Sequence, residues 1–177
     1  GKVGVVSQQD AVTGDYPEDI IVSTDPPYYD NVPYADLSDF FYVWLRRTLV
    51  NTYPSVFSTL LVPKKVELVA DHQRHDGREE ANAYFESGMK EAFGKMQRAI
   101  SPNFPLTVYY AFRQSEVQKD DEEAASTGWE TMLEGLMQAG FTIEATWPVR
   151  TEQTANIKKY RNALASSIVL VCRPRSG

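Results

Sequence analysis

The sequence has little of the features that mark several common classes of protein. Cys172 is the only cysteine, which excludes an internal disulfide and any zinc site built from several cysteines. The longest apolar run, at 167–172, is far too short to span a bilayer, and no segment resembles a signal peptide. These absences predict a cytoplasmic protein with no metal site and no membrane partner.

An excess of positive charge is also absent. Eighteen Lys and Arg against 24 Asp and Glu give a net charge of −6 and a pI of about 5.0. Because lysine and arginine drive phosphate binding, the chain is not expected to hold nucleic acid by bulk charge. A local basic cluster at Lys158, Lys159 and Arg161 is a candidate phosphate contact, and the alternative is an ordinary solvated loop.

Short β-branched runs alternate with segments of helical period. The pattern predicts one α/β domain whose sheet is mostly parallel. Strands are expected at 2–7, 20–24, 105–112, 141–147 and 166–172, and helices near 37–48, 79–100 and 129–137, the last ending at Gly140. Asp36 is the expected N-cap of the first helix, and Phe40, Phe41 and Trp44 are expected in the core because their spacing is helical. The second helix is expected to have one apolar face, formed by Ala81, Phe85, Met89, Ala92 and Met96.

The stretch "STDPPYYDNVPY" at 23–34 follows the predicted strand "IIVST" directly. In sheets with parallel strands, ligands bind beyond the carboxyl ends of the strands. An ordinary surface turn is the alternative, and Pro26 to Tyr29 also fit the Pro-Pro-x-Tyr pattern of WW-domain ligands. That second mode needs an accessible extended segment, whereas this one lies between a buried strand and an amphipathic helix.

The residue types of this turn suit an exocyclic amine of a nucleobase. Such an amine is a poor nucleophile because its lone pair is delocalised into the ring. Two acceptors, the carboxylate of Asp25 and the carbonyl of Pro26, would favour a tetrahedral nitrogen, and Pro27 stiffens the loop that holds them. The ring of Tyr28 would stack on the base, and Tyr29 offers a second ring.

"DPPY" after a hydrophobic strand resembles the catalytic motif of methyltransferases that use S-adenosylmethionine to modify adenine N6 or cytosine N4. Further blocks extend the resemblance over nearly the whole chain: "TDPPYYDNVPYADLSDFFYVWLRR", "PLTVYYAFRQSE", "GWETMLEGLMQAGF", "ATWPVRTE" and "ALASSIVLVCRPR". Together they are similar to the C-terminal part of large prokaryotic adenine-specific DNA methylases that carry a zinc ribbon. Five blocks in this order are far more specific than the four letters alone.

The resemblance implies a Rossmann-like fold with an antiparallel strand near the C-terminus, S-adenosylmethionine as cofactor and DNA as partner. The residues it marks are catalytic Asp25, Pro26, Pro27 and Tyr28, substrate-binding Tyr28, Tyr29 and Asn31, and cofactor-binding Asp10. Trp147, Arg150 and Glu152 belong to a family-like block whose role does not follow from the sequence.

One departure from the family concerns the cofactor. The glycine-rich loop that binds it precedes the catalytic strand in these proteins, but no Phe-x-Gly-x-Gly segment occurs here, and the zinc ribbon is missing. Residues 1–177 are therefore expected to be a single-domain fragment of a catalytic domain, inactive alone. The uncovered sheet edge is expected to cause self-association, or to be covered by a displaced 2–7 segment.

Other functions fit parts of the same pattern. Within the same chemistry, guanine N2 or cytosine N4 in RNA presents a similar amine, whereas protein-glutamine methyltransferases usually carry asparagine where this chain has Asp25. A non-catalytic module that binds nucleic acid or a partner protein is the alternative from another class. His72 and His75 are expected to be solvated loop residues, and Cys172 an inert buried thiol.

Overall fold

The computed structural model describes residues 3–29, 32–112, 119–149 and 166–175. These residues form four strands and three helices. In chain order they are β1 (Ser23–Thr24), α1 (Tyr34–Leu49), α2 (Arg78–Ala99), β2 (Leu106–Phe112), α3 (Lys119–Gln138), β3 (Phe141–Val149) and β4 (Ser166–Pro174). The α/β class is confirmed.

The four strands form one sheet in the order β1-β2-β4-β3. β1 pairs with β2 in parallel, whereas β4 pairs antiparallel with both β2 and β3. The expectation of a mostly parallel sheet is therefore wrong: the sheet is mixed. The antiparallel strand near the C-terminus is confirmed as β4. Since β4 opposes both of its neighbours, β1, β2 and β3 run in one direction and end at the same edge of the sheet.

The core lies between one face of the sheet and the helices α2 and α3. Phe85, Met89 and Phe93 of α2 meet Met132 and Leu136 of α3, and all are almost fully buried. The sheet contributes alternate residues of β2 and β4 to the same cluster: Leu106, Val108, Leu170 and Cys172. The predicted apolar face of the second helix is thus confirmed, as is the buried position of Cys172. Burial, with the nearby charge of Glu144 as a smaller cause, raises the pKa of that thiol to about 11.

Two predicted strands are absent or shortened. The segment after residue 2 forms no strand, and Val3, Val5 and Val6 are almost entirely exposed. β-branched residues favour a strand only where they have a surface to pack on, and no described element packs on these three. The predicted 20–24 strand is reduced to the two residues of β1 and an isolated bridge between Ile20 and Ile100.

The helices also differ from the prediction at their ends and on one face. α1 begins at Tyr34, two residues before its expected N-cap, so Asp36 lies in its first turn. α3 begins at Lys119, ten residues before the predicted start near residue 129. The apolar side of α1 is not core, because Phe40, Phe41 and Trp44 are each more than half exposed. The prediction at Gly140 is confirmed, since this residue follows α3 with a φ of 93°.

No helix in the described part of the chain is long and apolar enough to cross a membrane.

The packing predicts that replacing two different phenylalanines by alanine lowers the free energy of unfolding by very different amounts. Phe93→Ala removes a fully buried ring from between α2 and the sheet and should lower the free energy of unfolding by about 3–5 kcal/mol. Phe104→Ala is the matched control because that ring is 47% exposed, and it should cost less than about 1.5 kcal/mol. Urea denaturation at a fixed protein concentration measures both, and equal losses would contradict this core.

Candidate functional site

The predicted turn follows β1 at the edge of the sheet where β1 and β2 both end. Pro26 is buried and Asp25 is exposed, so the turn presents its carboxylate to solvent while its proline lies against the protein. The chain reverses at Tyr29, whose φ of 44° lies in the left-handed region. A non-glycine residue there costs about 1–2 kcal/mol, so other contacts must hold Tyr29 in place.

Tyr29 is held from three sides. Its side chain is only 6% exposed and lies edge-on against Phe85 of α2, with ring centroids 5.3 Å apart. Its hydroxyl donates a hydrogen bond to Oδ1 of Asn82, one turn earlier on the same helix. Its carbonyl accepts from the backbone N–H of Ala70, with N and O 3.1 Å apart. Tyr29 was predicted to be a second stacking ring, but its burial leaves no ring face for a base; it anchors the turn.

A glycine of α3 allows this anchor to approach the helix. A Cβ added at Gly128 would lie 2.9 Å from Cβ of Tyr29 and 3.3 Å from the hydroxyl of Tyr110. Real Cβ contacts are essentially never shorter than 3.0 Å, so a larger residue at Gly128 would displace Tyr29. This requirement could not be predicted from the sequence, because a glycine inside a helix is only mildly unfavourable unless its neighbours in space demand it.

Tyr28 and Asp25 form the accessible part of the turn. The hydroxyl of Tyr28 donates a hydrogen bond of 2.7 Å to Oδ1 of Asp25. Burial, then this hydrogen bond and the carboxylate charge, raise the pKa of Tyr28 well above its ordinary value, so the hydroxyl remains a donor at neutral pH. Burial and the charge of Asp25 also raise the pKa of Tyr34, which identifies a second phenol near the carboxylate.

Tyr28 belongs to an aromatic cluster with Tyr110 and Trp129. Tyr110 of β2 lies edge-on to Tyr28, with ring centroids 5.7 Å apart, and the ring centroid of Trp129 of α3 lies 5.7 Å from that of Tyr110. Sequence reasoning assigned Tyr110 and Trp129 to a strand and a helix only. The part that Tyr110 plays follows from the pairing of the strands, because β1 ends opposite Val108 and β2 continues beyond that point through Tyr110.

The loop between α1 and α2 is hydrogen-bonded both to the turn and to the start of α1. Glu67 accepts a hydrogen bond of 2.9 Å from the backbone N–H of Ala35, at the start of α1, while Ala70 binds Tyr29. Arg74 holds this loop together through ion pairs with Glu67 at 2.5 Å and with Asp36. Burial alone would lower the pKa of Arg74, but the hydrogen bonds to Glu67 and Asp36 raise it above its ordinary value.

The remaining predicted site residues are not part of this cluster. Asp10 caps a turn of its own, since its Oδ1 accepts from the backbone N–H of Val12 at 2.7 Å and of Thr13 at 3.3 Å. Trp147 is 65% exposed on β3, and it shares a cross-strand row with Val169 and Tyr109 on the sheet face opposite the core. Asn31, Arg150, Glu152 and the basic cluster at Lys158, Lys159 and Arg161 lie outside the described residues.

A cavity elsewhere on the molecule does not coincide with the turn. It has a volume of about 490 Å³ and lies between Val12, the outer face of α2 and the end of α3. Its lining includes Lys90, Lys95 and Arg98 but none of the predicted site residues. Within the described ranges, no group of three or more His, Cys, Asp or Glu side chains is placed to hold a metal ion.

Comparison with known proteins adds no family assignment. No protein-family model matches the chain, and no curated protein matches it.

The close approach at Gly128 predicts opposite effects for two glycine substitutions. Gly128→Ala should lower the free energy of unfolding by about 1–3 kcal/mol, because the new methyl group collides with Tyr29. Gly94→Ala in α2 is the matched control. Its nearest neighbour would be Nη1 of a flexible arginine at 3.6 Å, and alanine should stabilise the helix by up to about 1 kcal/mol. Urea denaturation distinguishes them, and a neutral Gly128→Ala would contradict the described contact.

Proposed function

We propose that this chain is the amine-binding part of an S-adenosylmethionine-dependent methyltransferase that acts on N6 of adenine in DNA, working in the cytoplasm. The observation that carries the proposal is the turn after β1. It presents the carboxylate of Asp25 and the ring of Tyr28 together at the carboxyl edge of the sheet. The flanking sequence blocks that resemble adenine-specific DNA methylases support the choice of substrate.

The strand arrangement also supports a Rossmann-like fold for the complete domain. β1, β2 and β3 run in one direction and β4 is inserted against them. In the fold that the resemblance implies, the strand before the catalytic turn has a further neighbour. Among the described residues β1 is an edge strand, and Ile21 beside it is 64% exposed. We assign this edge to the cofactor-binding half of the domain.

Each residue of the turn has a role in this mechanism. The carboxylate of Asp25 and the carbonyl of Pro26 accept the two N–H groups of the amine, which favours a tetrahedral nitrogen with a free lone pair. The hydroxyl of Tyr28 occupies Oδ1 of Asp25 before substrate binds, so the incoming amine replaces this hydrogen bond with its own. Once released, the ring of Tyr28 stacks on the extruded base.

The residues present do not fit the cofactor. S-adenosylmethionine needs a loop that approaches it closely, and no glycine-rich Phe-x-Gly-x-Gly segment occurs in the sequence. Asp10, the predicted cofactor contact, is exposed, and its Oδ1 already accepts hydrogen bonds from two backbone N–H groups. The isolated chain should therefore bind the cofactor weakly, and tight binding in a calorimetric titration would overturn this statement.

The first test of the proposal is methylation by the longest natural protein that contains these residues. We expect it to form N6-methyladenine in DNA, and Asp25→Ala to lower the rate by roughly 10²–10³-fold because preorganised acceptors contribute that much. Asp15→Ala removes another exposed carboxylate and is the matched control. Mass spectrometry of digested DNA and RNA identifies the product. A methylated cytosine or guanine would change the substrate, and an Asp25→Ala variant of full activity would refute the role of the turn.

The role of Tyr28 predicts a difference between two substitutions. Tyr28→Phe keeps the ring and frees Asp25 from its internal hydrogen bond, so it should retain base binding. Tyr28→Ala removes the stacking surface and should raise KM by roughly 10-fold or more, since stacking contributes about 1–3 kcal/mol per base. Steady-state kinetics on the same full-length protein measure both, and equal losses would show that the hydroxyl rather than the ring is needed.

A second candidate function is a non-catalytic module that binds nucleic acid or a partner protein. The observation that favours it, for a partner protein, is the large exposed apolar side of α1; the net charge of −6 disfavours nucleic acid. Such a module would keep its binding when Asp25 is replaced. The Asp25→Ala variant therefore separates the two candidates.

A further inference from the structure

α1 carries apolar side chains on two opposite sides, and the described residues cover only one of them. Ala35 and Tyr42 are buried, and the hydroxyl of Tyr42 donates to the carbonyl of Thr59 at 3.0 Å. The opposite side is a stripe at helical spacing, which we call the α1 stripe. It consists of Leu37 (59% exposed), Phe40 (68%), Phe41 (64%), Trp44 (59%) and Leu45 (46%). A contiguous exposed patch of this kind marks an interaction surface.

The α1 stripe is a surface feature that loop contacts on the other side of the helix hold in place. Asp39 accepts from the N–H of Val62 at 2.8 Å and pairs with Lys64 at 2.5 Å. Hydrogen bonding to Lys64 and Val62 lowers the pKa of Asp39, so this tie persists at neutral pH. The helix is therefore fixed on the side that carries Asp39, and a rotation that buried the α1 stripe would break these contacts.

Two opposite charges flank the stripe on one side. Asp36 and Arg47 are eleven residues apart, and at 3.6 residues per turn this is close to three full turns, so both lie along the same flank. Asp36 is at the N-terminal end, where its side chain is 47% exposed. Arg47 is at the C-terminal end and lies over the ring of Trp44, 5.9 Å from its centroid. The other flank carries Tyr34, Ser38 and Leu49, which have no charge at neutral pH.

We propose that the α1 stripe binds the α1 stripe of a second copy of this chain, with the two helices antiparallel around a two-fold axis near Phe41. In an antiparallel pair, equivalent flanks face each other and opposite ends meet. Asp36 of one protomer then faces Arg47 of its partner, and the symmetry makes this ion pair twice. A parallel pair would place this flank against the uncharged one, so Arg47 would face no opposite charge on the partner, and Asp36 would keep only Arg74 and Lys64 of its own chain.

The edge of β1 is a less suitable surface for a second copy than α1 is. That strand has only two residues, so its edge offers few backbone hydrogen bonds to another chain. The α1 stripe instead offers five large side chains on a 16-residue helix. A single pair of helices is smaller than a standard interface, so we expect a dissociation constant of roughly micromolar order.

The first test is the mass of the chain in solution. Sedimentation equilibrium across a concentration series should show reversible formation of a species of twice the 20.0 kDa of the monomer. Phe41→Glu should weaken dimerisation at least ten-fold. Leu60→Glu is the matched control, because Leu60 is 78% exposed outside the stripe, and it should leave the dimer intact. Both positions are exposed, so both variants should fold.

The outcomes separate the possible surfaces. A monomer at all concentrations would overturn the proposal, and so would a dimer that survives Phe41→Glu. Ile21→Glu tests the sheet edge: loss of the dimer in this variant alone would overturn the α1 proposal and assign the contact to β1. Loss in Phe41→Glu but not in Ile21→Glu or Leu60→Glu would support the proposal.

The second test concerns the antiparallel arrangement. Arg47→Asp should weaken the homodimer, because two carboxylates then face each other, and Asp36→Lys should do so with two cations. Mixed together, the two variants should form a heterodimer at least ten-fold more stable than either homodimer. If Asp36→Lys fails to fold because Arg74 loses its partner, Arg47→Asp compared with Arg47→Ala gives the same information. Equal dimerisation by Arg47→Asp and Arg47→Ala would overturn the antiparallel arrangement.

Discussion

The left-handed backbone at Tyr29 is the constraint on which the candidate site depends. This residue turns the chain back at the end of β1, and its unfavourable φ is offset by a buried ring, a hydroxyl bonded to Asn82 and a carbonyl bonded to Ala70. The first two contacts come from α2 and the third from the loop that precedes it. The turn is therefore fixed by the packing of α2 and of the loop before it, rather than by its two prolines alone.

That arrangement separates a rigid side of the turn from an accessible one. Pro26 and Tyr29 are buried, whereas Asp25 is exposed. Tyr28 contacts Asp25 through its hydroxyl and the aromatic cluster of Tyr110 and Trp129 through its ring. Functional side chains are most precise when their neighbours hold them, and here the anchor lies one residue from the ring that we expect to stack. The geometry suits recognition of a flat group with N–H donors, which is why we favour a nucleobase amine over a partner protein.

Much of the fold could be predicted from the sequence, but its partners in space could not. The spacing of Phe85 and Met89 predicted the buried face of α2, because helical period and burial coincide there. The same reasoning failed for Phe40 and Phe41, since a period shows that one side of a helix is apolar without showing what covers it. Strand direction is not encoded in β-branched runs, which is why the alternating pattern alone predicts a mostly parallel sheet although β4 is antiparallel to both of its neighbours. The sequence also does not show that the hydroxyl of Tyr29 bonds to Asn82 of α2 whereas that of its neighbour Tyr28 bonds to Asp25, because Asn82 is far away in sequence.

The most direct test of this account is a double-mutant cycle between Tyr29 and Asn82. Tyr29→Phe keeps the ring against Phe85 and removes only the hydroxyl, and Asn82→Ala removes the acceptor. Free energies of unfolding of the native protein, both single variants and the double variant give the coupling. We predict a coupling of about 0.5–3 kcal/mol, as expected for two side chains that share one hydrogen bond. A coupling near zero would show that α2 does not hold the turn through Tyr29, and would contradict the central claim.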